Sequence, residues 1–206
     1  MTGPESLFLD TWYHIHSRGV NRGDIIFEDR NYDYFMALLE HHICPVADVF
    51  AYCLLRNHFH LLIRVKEGND IKKAGETTSG EELSGDVETL PSRAFSNLLN
   101  AYSKAINRGY HRSGSLFQHP FGRREIASDS QFWAVVAYIH QNPQRHGFVM
   151  DFRNWEYSSY QSLSGDQPTI LQREYVMDWF GGRGRYLEIH QQWVDDADES
   201  WHLDDD

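Results

Sequence analysis

Two short patterns hold the side chains best suited to chemistry. His58-Phe59-His60 lies in an apolar, β-rich run, and residues two apart on a strand project to the same face. Both imidazoles then leave one side of a sheet while Phe59 enters the layer on the other. Two neutral imidazoles side by side make half a site for a divalent ion, and imidazole suits Mn, Fe, Ni, Cu or Zn better than Mg. A pair of hydrogen-bonded histidines at a strand end has the same spacing, because so short a motif recurs by chance. The second pattern is Tyr138-Ile139-His140-Gln141-Asn142-Pro143. At helical spacing Tyr138 and Asn142 stand one turn apart on one face. A phenol becomes a nucleophile when it loses its proton or meets a strongly polarised target, and a carboxamide oxygen is an uncharged metal ligand. An interfacial tyrosine followed by a helix-ending asparagine accounts for the same residues without any chemistry. His140 and Gln141, between the two, either tune such a site or face solvent.

The elements that must position these residues follow from periodicity. Residues 11–18, TWYHIHSR, alternate and are rich in aromatic and β-branched types, a strand that ends in the turn-prone GVNRGD. From Asn31 to Ile43 the apolar residues recur at helical spacing until Pro45 stops them. Residues 47–55 and 58–65 are two apolar runs separated by Arg56-Asn57, as in a hairpin. A second helix starts near Ser92 with Phe95, Leu98, Leu99, Tyr102 and Ile106 on one stripe, and 115–126 reads as an irregular strand broken near Pro120 and Gly122. Ser128 and Gln131 have capping-box spacing before FWAVVAYIHQN, and Pro143 predicts that this helix stops at Asn142 or just before. One or two short helices are expected in 171–193. The pattern β-α-β-β-α-β plus a further helix predicts an α+β fold: a ferredoxin-like, split βαβ antiparallel sheet with helices on one face and extra C-terminal helices.

The chain has 206 residues and a formal net charge of -11. Taken whole, that charge argues against a nucleic-acid partner, since neutralising phosphates takes Lys and Arg. The charge is unevenly placed. Residues 191–206 hold seven acids and no Lys or Arg, and 67–89 hold seven acids and two lysines, whereas 91–150 carry seven basic residues against two acids. The last stretch, interleaved with aromatics and histidines, suits a phosphate-facing surface or an ordinary solvated face. Segment 67–89 lacks apolar periodicity and reads as a flexible loop. No window resembles a membrane span or a secretory leader, and Cys44 and Cys53 sit in apolar stretches outside any CxxC, so the expected compartment is the cytoplasm.

Four separated blocks occur together in a telling order: WYHIHSRGVNRGDIIFEDRNYDYF, then CLLRNHFHLLIRV, then SGSLFQHPFGRREI, then AYIHQNPQRHGFV with NWEYSSY. Over most of residues 11–161 they resemble the single-tyrosine HUH transposases, in particular the REP-associated tyrosine transposase-like branch. The resemblance implies a ferredoxin-like nuclease over 1–161, carrying the acidic insertion 67–89, followed by a helical extension and acidic tail over 162–206. It implies a transposase that nicks and rejoins single-stranded DNA beside a hairpin. By position, His58, His60 and Asn142 match the metal ligands for Mg2+ or Mn2+, and Tyr138 matches the nucleophile that forms a 5′-phosphotyrosine link. Relatives occur as monomers or as homodimers, so the oligomeric state is open, as is the hairpin recognised.

Arginines around the expected cleft are candidates for phosphate or guanine contacts: Arg18 and Arg22 with Asn21 after the first strand, and Arg108, Arg112, Arg123 and Arg124 around the second helix and fourth strand. Phe117, Phe121 or Trp133 could stack bases, or such aromatics are simply core. Trp133 is expected in the core, and Tyr157 and Tyr160 as packing residues. Two other readings stand beside the enzyme: a catalytically weak module that keeps the fold to bind hairpins, and a small-molecule hydrolase, which would need a carboxylate near HxH that the motif lacks. The family is more basic than this chain. The acidic loop and tail are therefore expected to weaken nonspecific DNA binding or to shield the basic face.

Overall fold

A computed structural model of the chain describes residues 6–71 and 86–191. Four strands form one antiparallel sheet: β1 (Trp12–Arg18), β2 (Ala47–Leu54), β3 (His58–Val65) and β4 (Gly122–Glu125), in the order β2-β3-β1-β4. Helix α1 (Asp29–His42) joins β1 to β2, and α2 (Leu90–Gly109) stands between β3 and β4. This is the split βαβ connectivity. It is followed by α3 (Asp129–Arg145), α4 (Ser159–Ser164), α5 (Arg173–Phe180) and α6 (Arg183–Gln191).

Strand alternation divides the side chains between two layers. On one face, Phe59 meets Phe35 of α1 at 5.0 Å between ring centroids and Phe117 at 6.0 Å, and Tyr102 of α2 donates its hydroxyl to the Ile25 carbonyl at 2.9 Å. Phe35, Phe59 and Tyr102 are fully buried, each stabilising the fold by roughly 1.5–3 kcal/mol through the apolar surface it withdraws from water. The other face receives α3 and α5. Trp12 packs on Phe50 at 4.3 Å and on Phe132 of α3 at 5.1 Å, and Trp179 of α5 packs on Phe132 at 4.6 Å.

Three expectations need correction. Helix α3 runs through Pro143 to Arg145, because proline removes a single N–H and the ladder resumes with His146 N–H donating to Asn142 O at 3.0 Å. Trp133 is 40% exposed: Phe132, Val135, Val136 and Ile139 take the buried side of α3 and turn their neighbour outward. The irregular strand over 115–126 shrinks to the four residues of β4, preceded by a lone bridge between Gly19 and Phe117. Tyr157 and Tyr160 are packing residues as expected, Tyr157 stacked on Tyr32 at 3.4 Å and Tyr160 buried beside His140. Most of the loop expected over 67–89, and the acidic tail from residue 192, lie outside the described residues. Among the described residues no helix is long and apolar enough to cross a membrane.

Candidate active site

His58 and His60 leave β3 on the face that α3 covers, because Phe59 between them is committed to the layer of α1. The antiparallel register sets His16 opposite His60 and Arg18 opposite His58. It therefore brings a second HxH, His14-Ile15-His16 of β1, onto the same face. Sequence reasoning missed these two histidines. Their alternation was visible in TWYHIHSR, but only the cross-strand register shows that they join the first pair.

Helix α3 supplies the remaining groups. Its N-terminus is fixed by Ser128, whose hydroxyl accepts from Gln131 N–H, and by the Gln131 side chain, which accepts from Ala127 N–H at 2.8 Å. One helical face then presents Tyr138 and Asn142 to the histidines. Asn142 Oδ1 lies 2.9 Å from His58 Nε2, and the Tyr138 ring stands edge-on to His60 with centroids 5.6 Å apart. The His58 and His60 rings are 5.2 Å apart. The four residues read from the sequence as one site are thus brought together. The Arg145 guanidinium lies 5.6 Å from the centre of the Tyr138 ring, placing positive charge beside the phenol. His140 and Gln141 do not face solvent. Both are wholly buried, and His140 projects from the far side of α3, where its ring nitrogens meet His190 and Ser159.

Burial, then neighbouring positive charge, hold His60 and His14 well below the usual imidazole range, so both are neutral at pH 7 and carry lone pairs. Each contacts the other through one nitrogen, His14 Nε2 to His60 Nδ1 at 3.0 Å. His58 Nδ1 lies 2.7 Å from Asn57 Oδ1. A carboxamide oxygen only accepts and a neutral imidazole has one N–H, so the ring can donate to only one of Asn57 and Asn142; the shorter contact, to Asn57, takes the proton on Nδ1 and leaves the Nε2 lone pair facing Asn142 Oδ1.

This donor set fits a divalent metal. His60 Nε2 and Asn142 Nδ2 are buried with no hydrogen-bond partner. Turning the Asn142 amide only exchanges which of its atoms is left unsatisfied. Two lone pairs, of His58 Nε2 and Asn142 Oδ1, meet at a separation close to the about 3 Å between adjacent ligands of an octahedral ion. Among the described residues no group of three or more His, Cys, Asp or Glu could hold a metal. The third donor here is a carboxamide.

A cleft of about 550 Å³ opens beside these residues, lined by His16, Arg18, His58, His60, Gly122 and Arg123 among others. Gly122 is required here: a Cβ on it would fall 2.0 Å from the His16 ring, which lies across β4. Of the arginines read from the sequence, Arg18 and Arg123 line the cleft, and Arg124 sits opposite His14 on the face that carries the histidines. Asn21 and Arg22 are exposed in the turn after β1, with left-handed φ of 55° and 59°. Arg108 and Arg112 are exposed at the end of α2, Arg112 over the Phe27 ring, and neither lines the cleft. Phe117 is core, and Phe121, 7% exposed, carries Arg123 over its ring at 4.0 Å.

The sheet, its crossing helices and the covering α3 share their fold with a solved tyrosine transposase. A solved structure of a REP-associated tyrosine transposase bound to a REP hairpin matches with a TM-score of 0.55 at 14% identity, covering 79% of this chain and 84% of that one. A Haemophilus influenzae protein named as a REP-associated tyrosine transposase is 26% identical over 137 residues, 65% of this chain and 67% of its own length. No protein-family model matches the sequence.

Proposed function

We propose that this chain is a hairpin-directed single-strand DNA transposase that cleaves and rejoins DNA through Tyr138. The observation that carries the reading is the convergence, on one face of the sheet, of two imidazoles, a buried carboxamide with an unsatisfied atom and a phenol. Such a set has little use in a core, where polar atoms are ordinarily paired. The names of the similar proteins, one solved with a REP hairpin, support hairpin DNA as the partner.

The residues divide the work as follows. His58, His60 and Asn142 would hold a divalent ion, Mg2+ or Mn2+, which supplies Lewis-acid polarisation of the scissile phosphate. The Tyr138 oxygen attacks phosphorus, forming the phosphotyrosine bond as the P–O3′ bond breaks, and the departing 3′ oxygen takes up a proton as the phenol loses its own. A 3′-hydroxyl attacking the phosphotyrosine reverses the step, so joining conserves the phosphodiester energy and needs no nucleotide cofactor. Arg18 and Arg123 neutralise backbone phosphates along the cleft, and as sequence-independent contacts they make binding salt-dependent. The reading places the enzyme with its DNA in the bacterial cytoplasm or nucleoid.

The test is a denaturing gel of the full chain incubated with Mn2+ and a labelled single strand bearing a hairpin. A covalent protein–DNA band is expected, lost in Tyr138→Phe. Hairpin binding with no adduct across several hairpins would leave a binding module in place of an enzyme.

A further inference from the structure

We infer that His14 and Asn57 are positioning residues, each fixing the ring orientation and tautomer of one ligand imidazole; this rests on the metal reading above. The two contacts share one logic. Asn57 Oδ1 engages Nδ1 of His58 at 2.7 Å, and His14 Nε2 engages Nδ1 of His60 at 3.0 Å. In both rings the δ nitrogen is tied back and the ε nitrogen is turned into the site. With Nδ1–H donated to Asn57, His58 Nε2 keeps its lone pair, which faces Asn142 Oδ1 at 2.9 Å. With Nδ1–H of His60 donated to His14, the buried Nε2 of His60 is likewise a bare lone pair.

Neither partner is placed by accident. Asn57 ends the β2–β3 hairpin, and its own carbonyl accepts from Gly19 N–H at 2.8 Å while the adjoining Arg56 carbonyl accepts from Ile25 and Ile26 N–H. The loop after β1 thus holds the turn from which the Asn57 side chain reaches His58. His14 lies two register positions from the His16–His60 pair, opposite Leu62, with its ring stacked on that of His60 at 5.1 Å. It is wholly buried, and its second nitrogen has no hydrogen-bond partner. An apolar residue at position 14 would fill the same space without an unsatisfied atom, so the imidazole is there for its Nε2. Partners of this kind orient metal-bound histidines and raise their basicity.

Two measurements on the full chain test the inference. In the metal-free protein, 15N imidazole spectra should show His58 and His60 both protonated on Nδ1. Protonation of both on Nε2 would overturn the inference without any substitution. In Mn2+ titrations, His14→Phe and Asn57→Ala should each weaken binding about 10–100-fold. Asn57→Asp, which keeps an acceptor, should stay within about threefold of the unmutated protein. Unchanged Mn2+ affinity in His14→Phe and Asn57→Ala, while His60→Ala weakens it, overturns the positioning roles and leaves the metal site intact. Mn2+ binding that is indifferent to His58→Ala and His60→Ala as well overturns the metal reading itself.

Discussion

Helix α3 separates two buried histidine clusters that are built on opposite rules. On its outer side, His140 Nδ1 meets His190 Nε2 at 2.8 Å, His140 Nε2 meets the Ser159 hydroxyl at 2.7 Å, and His190 Nδ1 meets the Tyr186 carbonyl at 2.8 Å. Every ring nitrogen there has a protein partner. On the inner side, His14, His58, His60 and Asn142 are as deeply buried, yet His14 Nδ1, His60 Nε2 and Asn142 Nδ2 have none. The contrast shows what burial alone does not. A polar cluster that closes on itself holds elements together, and one that leaves buried polar atoms unsatisfied is arranged for something that binds there.

Substitution should separate the two clusters in opposite directions. His60→Ala is expected to lower strand cleavage on the order of 10³-fold, as loss of a group that stabilises developing charge does. His140→Ala leaves Ser159 and His190 without their partner and opens a cavity, and should cost about 2–4 kcal/mol of stability. In urea unfolding, His60→Ala should cost less than half as much, since one of its nitrogens has no internal bond to lose. Equal stability losses at the two positions would erase the distinction.

Acid sharpens the comparison at smaller scale. Burial pushes the His190 pKa down to about 4 and holds His140 well below its ordinary value. The folded state therefore binds fewer protons than the unfolded chain below pH 6.5. Stability is full above that pH and falls between 6.5 and 4, by about 1.4 kcal/mol per pH unit for each such histidine. Urea midpoints measured from pH 7.5 to 5 should fall, and His190→Gln should flatten the decline. An unaltered slope would show that His190 is not the neutral, buried partner described. The smallest effect concerns charge far from both clusters: deleting 192–206 should tighten random single-stranded DNA binding a few-fold at low salt, and the gain should vanish near 1 M salt, where screening acts over about 3 Å. Equal affinity at low salt would reduce the acidic tail to a solubility feature.

Local spacing carried the parts of the site that lie within one element. His58 and His60 are readable because a strand repeats every two residues, and Tyr138 with Asn142 because a helix returns near every fourth. The split βαβ order was legible for the same reason, from the alternation of periods along the chain. What spacing could not supply was anything decided between elements. His14 and His16 joined the site through the register of β1 against β3, and Asn57 through the path of a turn. Trp133 was misplaced because an apolar helix has more large side chains than its buried face accepts. His140 looked like a neighbour of Tyr138 and Asn142, but two residues along a helix is the opposite side.

That last geometry has a mechanical consequence. Tyr138 and Asn142 share one helical turn, so any displacement of α3 would withdraw the phenol and the carboxamide together. The grip on the back of that turn is the imidazole of His190, about fifty residues along the chain from His140. The last described helix, remote from the histidines of the sheet, therefore holds the back of the turn that carries Tyr138 and Asn142.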